Sequence, residues 1–290
     1  MTRKIHDSFA KECMAALLAD FGQVEIEKQL SDEVRTIDIV FHPDPNAADR
    51  RLALGILGQM VAHLVLIEPF RNPVPEWEIR NCREKLFRFE SELRRIAKRQ
   101  KHRIAPNELP FVWILSPTLS PHLQREFCVK QQAQWGQGIY FLPNPDRTAI
   151  IAIHELPQTL DTLWLRLLGR GRVQATAIRE LIERPSNHPY RQEAMRHLAI
   201  LQVHLKTRQN KTKDIREVVM SLSPLYEKWE QETLDRGRQE GRQEGRREGR
   251  QEGRQAIALS MLQSQRYSLE EIAELTQLPI DQLQVIQATL

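Results

Sequence analysis

The sequence predicts a mixed α/β domain followed by an all-helical half with an extended glycine-repeat helix. Three observations carry that expectation. Residues 23–30 and 34–41 alternate apolar and polar side chains around a short polar turn, the period-two pattern of a hairpin. Short apolar runs at 63–68, 110–116, 138–142 and 148–153 lie on either side of a long helical period, as in layered α/β proteins. Beyond residue 156 strand signals stop, and glycine then recurs every fourth residue at Gly237, Gly241, Gly245, Gly249 and Gly253.

Taken in order, residues 7–21 have apolar side chains at helical spacing and stop at Gly22, which suits the position just past a helix end. The hairpin follows, its turn at Ser31, Asp32 and Glu33. Residues 43–51 read as a loop, 52–62 as a short helix and 63–68 as a buried strand closed by Pro69. Asn72, Pro73, Val74 and Pro75 break the chain. A helix then runs from about Glu76 to Gln100, with Trp77, Leu86, Phe89, Leu93 and Ile96 as its apolar side. The order α-β-β-β-α-β, with further strands, ends near residue 156. Helices are expected at 159–168, 172–183, 189–206 and 214–234, the last interrupted at Ser223 and Pro224. Residues 255–264 and 280–289 are helical. Between them Ser268 and Glu271 form a capping box that opens another helix. The organisation is therefore 1–156, an α/β domain; 157–235, a helical region; 236–254, the charged repeat; and 255–290, a small helical end.

Every fourth residue falls nearly on one face of a helix. The repeat thus has a glycine stripe, an arginine stripe (Arg238, Arg242, Arg246, Arg250, Arg254) and a glutamate stripe (Glu240, Glu244, Glu248, Glu252). Neighbours along a charged stripe repel, and each interior glycine costs roughly 1 kcal/mol against alanine. A partner helix could approach the bare backbone and set arginine against glutamate. The repeat reads as a self-associating helix, hence a homo-oligomer through residues 236–254; the other reading is a solvated linker.

The net charge of +4 resides mostly in the repeat, because residues 236–255 hold seven Arg and four Glu. The remainder is near neutral, so overall charge is no argument for nucleic-acid binding by the folded part. Cys13, Cys82 and Cys128 have neither a disulfide framework nor metal-ligand spacing, which suits a reducing cytoplasm. Leu52 to Ile67 is too short and too interrupted to span a bilayer, so no membrane partner is expected.

Acids fall on the second and third strands: Asp38 in TIDIVF lies on the second, and Glu68 in LVLIEPF ends the third. With this element order they resemble the core of the PD-(D/E)XK nuclease superfamily. The C-terminal stretch AIALSMLQSQRYSLEEIAELTQLPIDQLQVIQ, after a GxxEG-type repeat, resembles the recombination-promoting nuclease/transposase family within it. The stretches IEPFRNP, LWLRLLGRGRVQ and GIYFLPN are similar to a cyanobacterial group of that layout. The repeat alone is also similar to one in a flagellar assembly protein. The nuclease resemblance implies Mg²⁺ held by Asp38 and Glu68, DNA as the partner, and phosphodiester hydrolysis by a metal-activated water. It also implies Glu12 on the first helix as an accessory acid. The superfamily places Lys two residues after the glutamate. Here that position is Phe70, and Arg71 beside it stays protonated at ordinary pH. Glu27, Lys28 and Gln29 have the right types on the wrong strand. Arg71 and Gln29 are therefore the accessory candidates for orienting water.

Residues 94–103 carry Arg94, Arg95, Lys98, Arg99, Lys101 and Arg103 with no acid. They read equally as a track for a nucleic-acid backbone or as the solvated end of a long helix. The last two helices have the rhythm of a helix-turn-helix. The second lacks Lys and Arg, so it reads as a docking module. Gly169 and Gly171 follow a helix and do not make a dinucleotide fingerprint. His6, His63, His154 and His188 show no metal spacing. The alternative to a nuclease is a non-enzymatic adaptor acting through the repeat and the C-terminal helices.

Overall fold

The computed structural model describes residues 2–30, 36–185, 188, 190–206 and 213–288. They fall into two compact units, Met1–Trp229 and Glu230–Leu290. The first contains a mixed seven-stranded sheet in the order β1-β2-β3-β4-β7-β6-β5. The strands are β1 (Gly22–Gln29), β2 (Thr36–Pro43), β3 (Val65–Pro69), β4 (Phe111–Ser116), β5 (Lys130–Gln131), β6 (Ile139–Phe141) and β7 (Thr148–Ala152). β3, β4 and β7 are parallel neighbours; the flanking pairs are antiparallel.

The helices are α1 (Thr2–Leu18), α2 (Ala48–Arg51), α3 (Ile56–Met60), α4 (Glu76–Arg99), α5 (Pro121–Glu126), α6 (Leu163–Leu167), α7 (Gly171–Glu183), α8 (Arg191–Lys206), α9 (Lys213–Ser264), α10 (Leu269–Thr276) and α11 (Ile280–Ala288). α1 buries Phe9, Cys13, Met14, Leu17 and Leu18, a spacing that keeps them on one helical face. They share a core with α6, α7 and α8 and with Ile39, Ile67, Trp113 and Ile151 of the sheet. α4 lies against the other face, where Ile79, Cys82, Leu86 and Phe89 meet Val40, Leu66, Val112, Ile114 and Ile150. Covered on both faces, the central strands have to be continuous apolar runs, as VWIL and AIIA are. Each fully buried Leu or Ile contributes roughly 1.5–3 kcal/mol.

The expected elements differ from the structure at several points. The turn expected at residues 31–33 lies outside the described residues. The expected loop at 43–51 holds a 3₁₀ turn (Pro45–Ala47) and α2, and the expected helix 52–62 is a 3₁₀ turn (Leu52–Leu54) followed by α3. α5 and β5, six and two residues long, were not expected from the sequence, although Ser120 and Pro121 mark the start of α5. α9 passes through Pro224 rather than breaking there; Ser223 Oγ donates to the Val219 carbonyl beside that lost amide bond. Trp77 and Ile96 do not join the buried stripe of α4: both are exposed.

The ladder between β2 and β3 runs from Phe41↔Val65 to Ile39↔Ile67 and stops. β3 continues beside β4 through Glu68 and Pro69. Just beyond the last β2–β3 rung stand Asp38 and Glu68. On β1, Glu27 opposite Asp38 has φ +54°, a left-handed conformation unusual for a strand residue with a side chain. Ile37 lies with Val40 in one core, Ile39 and Phe41 in the other. Strict strand alternation is therefore broken at Asp38.

In the second unit Ala258, Ile272, Leu278 and Leu283 form a small core. Ser268 Oγ accepts from the Glu271 amide at 3.2 Å and Glu271 Oε2 accepts from the Ser268 amide at 2.8 Å, the expected capping box. Such a cap contributes about 1 kcal/mol. The repeat lies within α9, and a Cβ at any of its five glycines would meet nothing within 4 Å. Among the described residues no helix is long and apolar enough to cross a membrane.

Candidate functional site

The end of the β2–β3 ladder opens into a cleft of about 380 Å³ whose lining includes Asp38, Glu68, Lys85, Arg71, Asn72 and Trp77. The two acids predicted from the strand order thus face one cavity. Glu68, at the end of β3, is only 1% exposed. Its Oε1 accepts weakly from the Asp38 amide at 3.4 Å, a side-chain contact where the next backbone rung would be. Its Oε2 accepts from Lys85 Nζ at 2.8 Å. Lys85 stands three residues after Cys82 and four before Phe89, so it shares the buried face of α4 and points at the sheet. Asp38 Oδ1 meets Lys11 Nζ at 2.7 Å, and the same ammonium reaches Glu27 Oε1 at 3.2 Å. Lys11 is buried within the apolar face of α1.

Two ion pairs, Lys11 with Asp38 and Lys85 with Glu68, therefore meet where sheet and helices join, with the two acids side by side. A buried carboxylate without such partners would be costly. Burial still dominates at Glu68 and pushes its carboxyl up to about 7; Lys85 opposes this, and the nearby Asp38 charge adds to it. Burial, the largest single effect, pulls the Lys85 ammonium down, but the charge and hydrogen bond of Glu68, with smaller contributions from Cys82 and Asp38, together outweigh it and the net shift is upward. Lys85 accordingly stays protonated and acts as a fixed cation, not as a base. Glu27, strained and opposite Asp38, joins the same network through Lys11. Backbone strain of this kind clusters at functional sites.

Sequence reasoning found Asp38, Glu68 and Arg71 and missed both lysines. A cation three or four residues from buried apolar neighbours was the available signal for each. Glu12 is not at the cleft. It is exposed, accepts from Ser8 Oγ at 2.6 Å, and lines a separate cavity with Phe9, His197 and His204. Gln29 is exposed on β1, paired with Thr36. Lys28 is engaged with Glu25 at 2.9 Å and lies over the Phe89 ring. Phe70 is half-buried and packs against the α4-side core, its amide donating to the Leu115 carbonyl at 2.7 Å. Arg94, Arg95, Lys98, Arg99, Lys101 and Arg103 are exposed at or past the far end of α4. Arg94 pairs with Glu90 at 2.6 Å, and Lys98 and Arg99 occupy the last turn, where cations suit the helix dipole.

Among the described residues no three His, Cys, Asp or Glu side chains gather as a metal cluster. Asp38 and Glu68 are a two-carboxylate set of hard oxygen donors. Such a set fits Mg²⁺, which takes one or two carboxylates and fills its remaining positions with water and substrate oxygens. Searches with this chain of protein-family models, of curated proteins and of solved structures return no match.

Proposed function

We propose that this chain is a PD-(D/E)XK-type phosphodiester hydrolase acting on DNA, with Asp38 and Glu68 as the metal-holding acids and Lys85 in the role of the motif lysine. The observation that carries the reading is the 2.8 Å contact from Lys85 Nζ to Glu68 Oε2. Phe70 replaces the lysine expected on the strand, and α4 returns an ammonium to the glutamate that lysine would have neighboured. Mg²⁺, when bound, supplies Lewis-acid stabilisation of the phosphate and an activated water. The chain's own residues do the rest. Lys11 holds Asp38 in place. Lys85 puts a fixed positive charge at the end of β3, where it offsets the charge that grows on a phosphate under attack. Arg71, at the wall of the cleft, adds a second cation for a non-bridging oxygen.

The test is a nuclease assay on pure protein with Mg²⁺ or Mn²⁺, beside Asp38→Ala, Glu68→Gln and Lys85→Met. Metal-dependent cleavage lost in all three is the expected result. Cleavage that survives Asp38→Ala would sink the assignment.

We infer a second role for the tail, self-association through residues 236–254. The five glycines present open backbone beside exposed arginine and glutamate stripes. Those stripes are complementary to a second copy of the same helix.

A further inference from the structure

The cleft is lined by charged and by aromatic side chains. Asp38, Glu68, Lys85, Arg71 and Glu78 line it together with Phe70 and Trp77. Trp77 is 60% exposed. Trp113, Trp135 and Trp164 each stack with neighbouring rings. Among the described residues no ring packs on Trp77. Its position follows from a pinned turn. The Phe70 amide donates to the Leu115 carbonyl at 2.7 Å, and the Val74 amide donates to Ser116 Oγ at 3.0 Å, with Val74 buried. Pro73 and Pro75 fix the backbone between these anchors and the start of α4. An indole is thus presented to solvent at the cleft wall on a support that is already ordered.

A nucleic-acid strand has the matching character, with phosphates at one edge and flat π-faced bases at the other. We propose that Trp77 is a stacking platform for a nucleobase next to the scissile phosphate, so that the substrate is taken as a single strand or an unpaired end. The inference rests on the hydrolase reading above. A base inside a duplex has both faces covered by its neighbours and offers none to an indole. An unpaired base offers one, and stacking on aromatic side chains tolerates any sequence. Arg170 Nη1 donates to Asn72 Oδ1 at 3.0 Å. This ties the start of α7 to the same wall and keeps a further cation near the path of the backbone.

The experiment measures binding of a fluorescently labelled single-stranded oligonucleotide, and of its duplex, to the full chain in EDTA. Wild type is compared with Trp77→Ala and Trp77→Phe; cleavage in Mn²⁺ is followed in parallel. Trp77 is exposed, so all three should melt alike. Wild type should prefer the single strand. Trp77→Ala should weaken single-strand binding about tenfold with little effect on the duplex, and Trp77→Phe should retain most of it. Equal single-strand affinity in wild type and Trp77→Ala overturns the platform, and so does an equal loss on strand and duplex. If cleavage persists in either case, the hydrolase reading stands without the platform. Trp77-dependent strand binding without cleavage keeps the platform and sinks the hydrolase. Absence of binding to any oligonucleotide overturns both.

Discussion

Lys85 and Glu68 lie on different elements, one on a helix and one at a strand end, yet their charged atoms meet at 2.8 Å with Glu68 almost wholly buried. The pair joins α4 to β3 at the point where β2 leaves the ladder. It is the contact on which both the local electrostatics and the proposed chemistry depend.

Replacing Lys85 with Met keeps the packed stem and removes the charge. A buried charge left unpaired costs about 3–5 kcal/mol. Glu68 can escape by taking a proton, and does so more readily in acid. Lys85→Met should therefore destabilise the fold more at pH 8 than at pH 5, read by chemical denaturation in metal-free buffer. Equal losses at the two pH values would show that the pair is not the source.

Glu68 itself should make stability fall as pH rises. Its folded pKa, about 7, lies above the ordinary 4.5, so between those values the folded state holds more protons than the unfolded one. The penalty is absent below about pH 4.5, grows across the window and is complete above about 7. Glu68→Gln carries no such penalty. Its stability relative to wild type should improve by roughly 1–3 kcal/mol between pH 4 and pH 8. A difference independent of pH would contradict the shift.

Divalent metal should stabilise the folded chain by mass action, about 2.7 kcal/mol at a hundredfold excess over Kd. Thermal melting with Mg²⁺ or Mn²⁺ should show this for wild type and not for Asp38→Ala. A shift that persists in Asp38→Ala would place the ion elsewhere. This readout is independent of turnover.

Reversing Glu240, Glu244, Glu248 and Glu252 to Lys should weaken self-association, because complementary stripes become repulsive. Sedimentation of the intact chain against one ending at Leu234 gives the comparison. Identical monomeric masses for both would remove the oligomer.

The acids of the site were legible because each is a carboxylate beside apolar residues of a strand, Asp38 ahead of Ile39, Val40 and Phe41 and Glu68 after Val65, Leu66 and Ile67. The lysines were not, because their partners are distant in sequence: Lys85 finds Glu68 and Lys11 finds Asp38 only through packing of helix on sheet. Yet each interrupts an apolar stripe, a conflict that burial of a cation resolves only if an acid waits opposite. Trp77 misled because its indole is large and apolar. It stands nine residues before the buried Leu86, about half a turn round α4 from it, and so lies off the face that the sheet covers. The hairpin, β3, β4 and β7 were readable from alternation and apolar runs. β5 was not, since two exposed residues are a strand only by virtue of pairing with β6.

The short β2–β3 ladder also bears on motion. The β1–β2 hairpin is joined to the parallel body of the sheet by the pairs from Ile39↔Ile67 to Phe41↔Val65, while β3 is laced to β4 along its whole length. Asp38 rides on the hairpin and Glu68 on the body. Thermal breathing of that seam changes the separation of the two acids directly, and the amides of β2 beyond Ile39 should be among the first in the sheet to exchange with solvent deuterium. An ion or substrate gripping both acids would act as a rivet across the seam, slowing exchange on both strands of the hairpin at once.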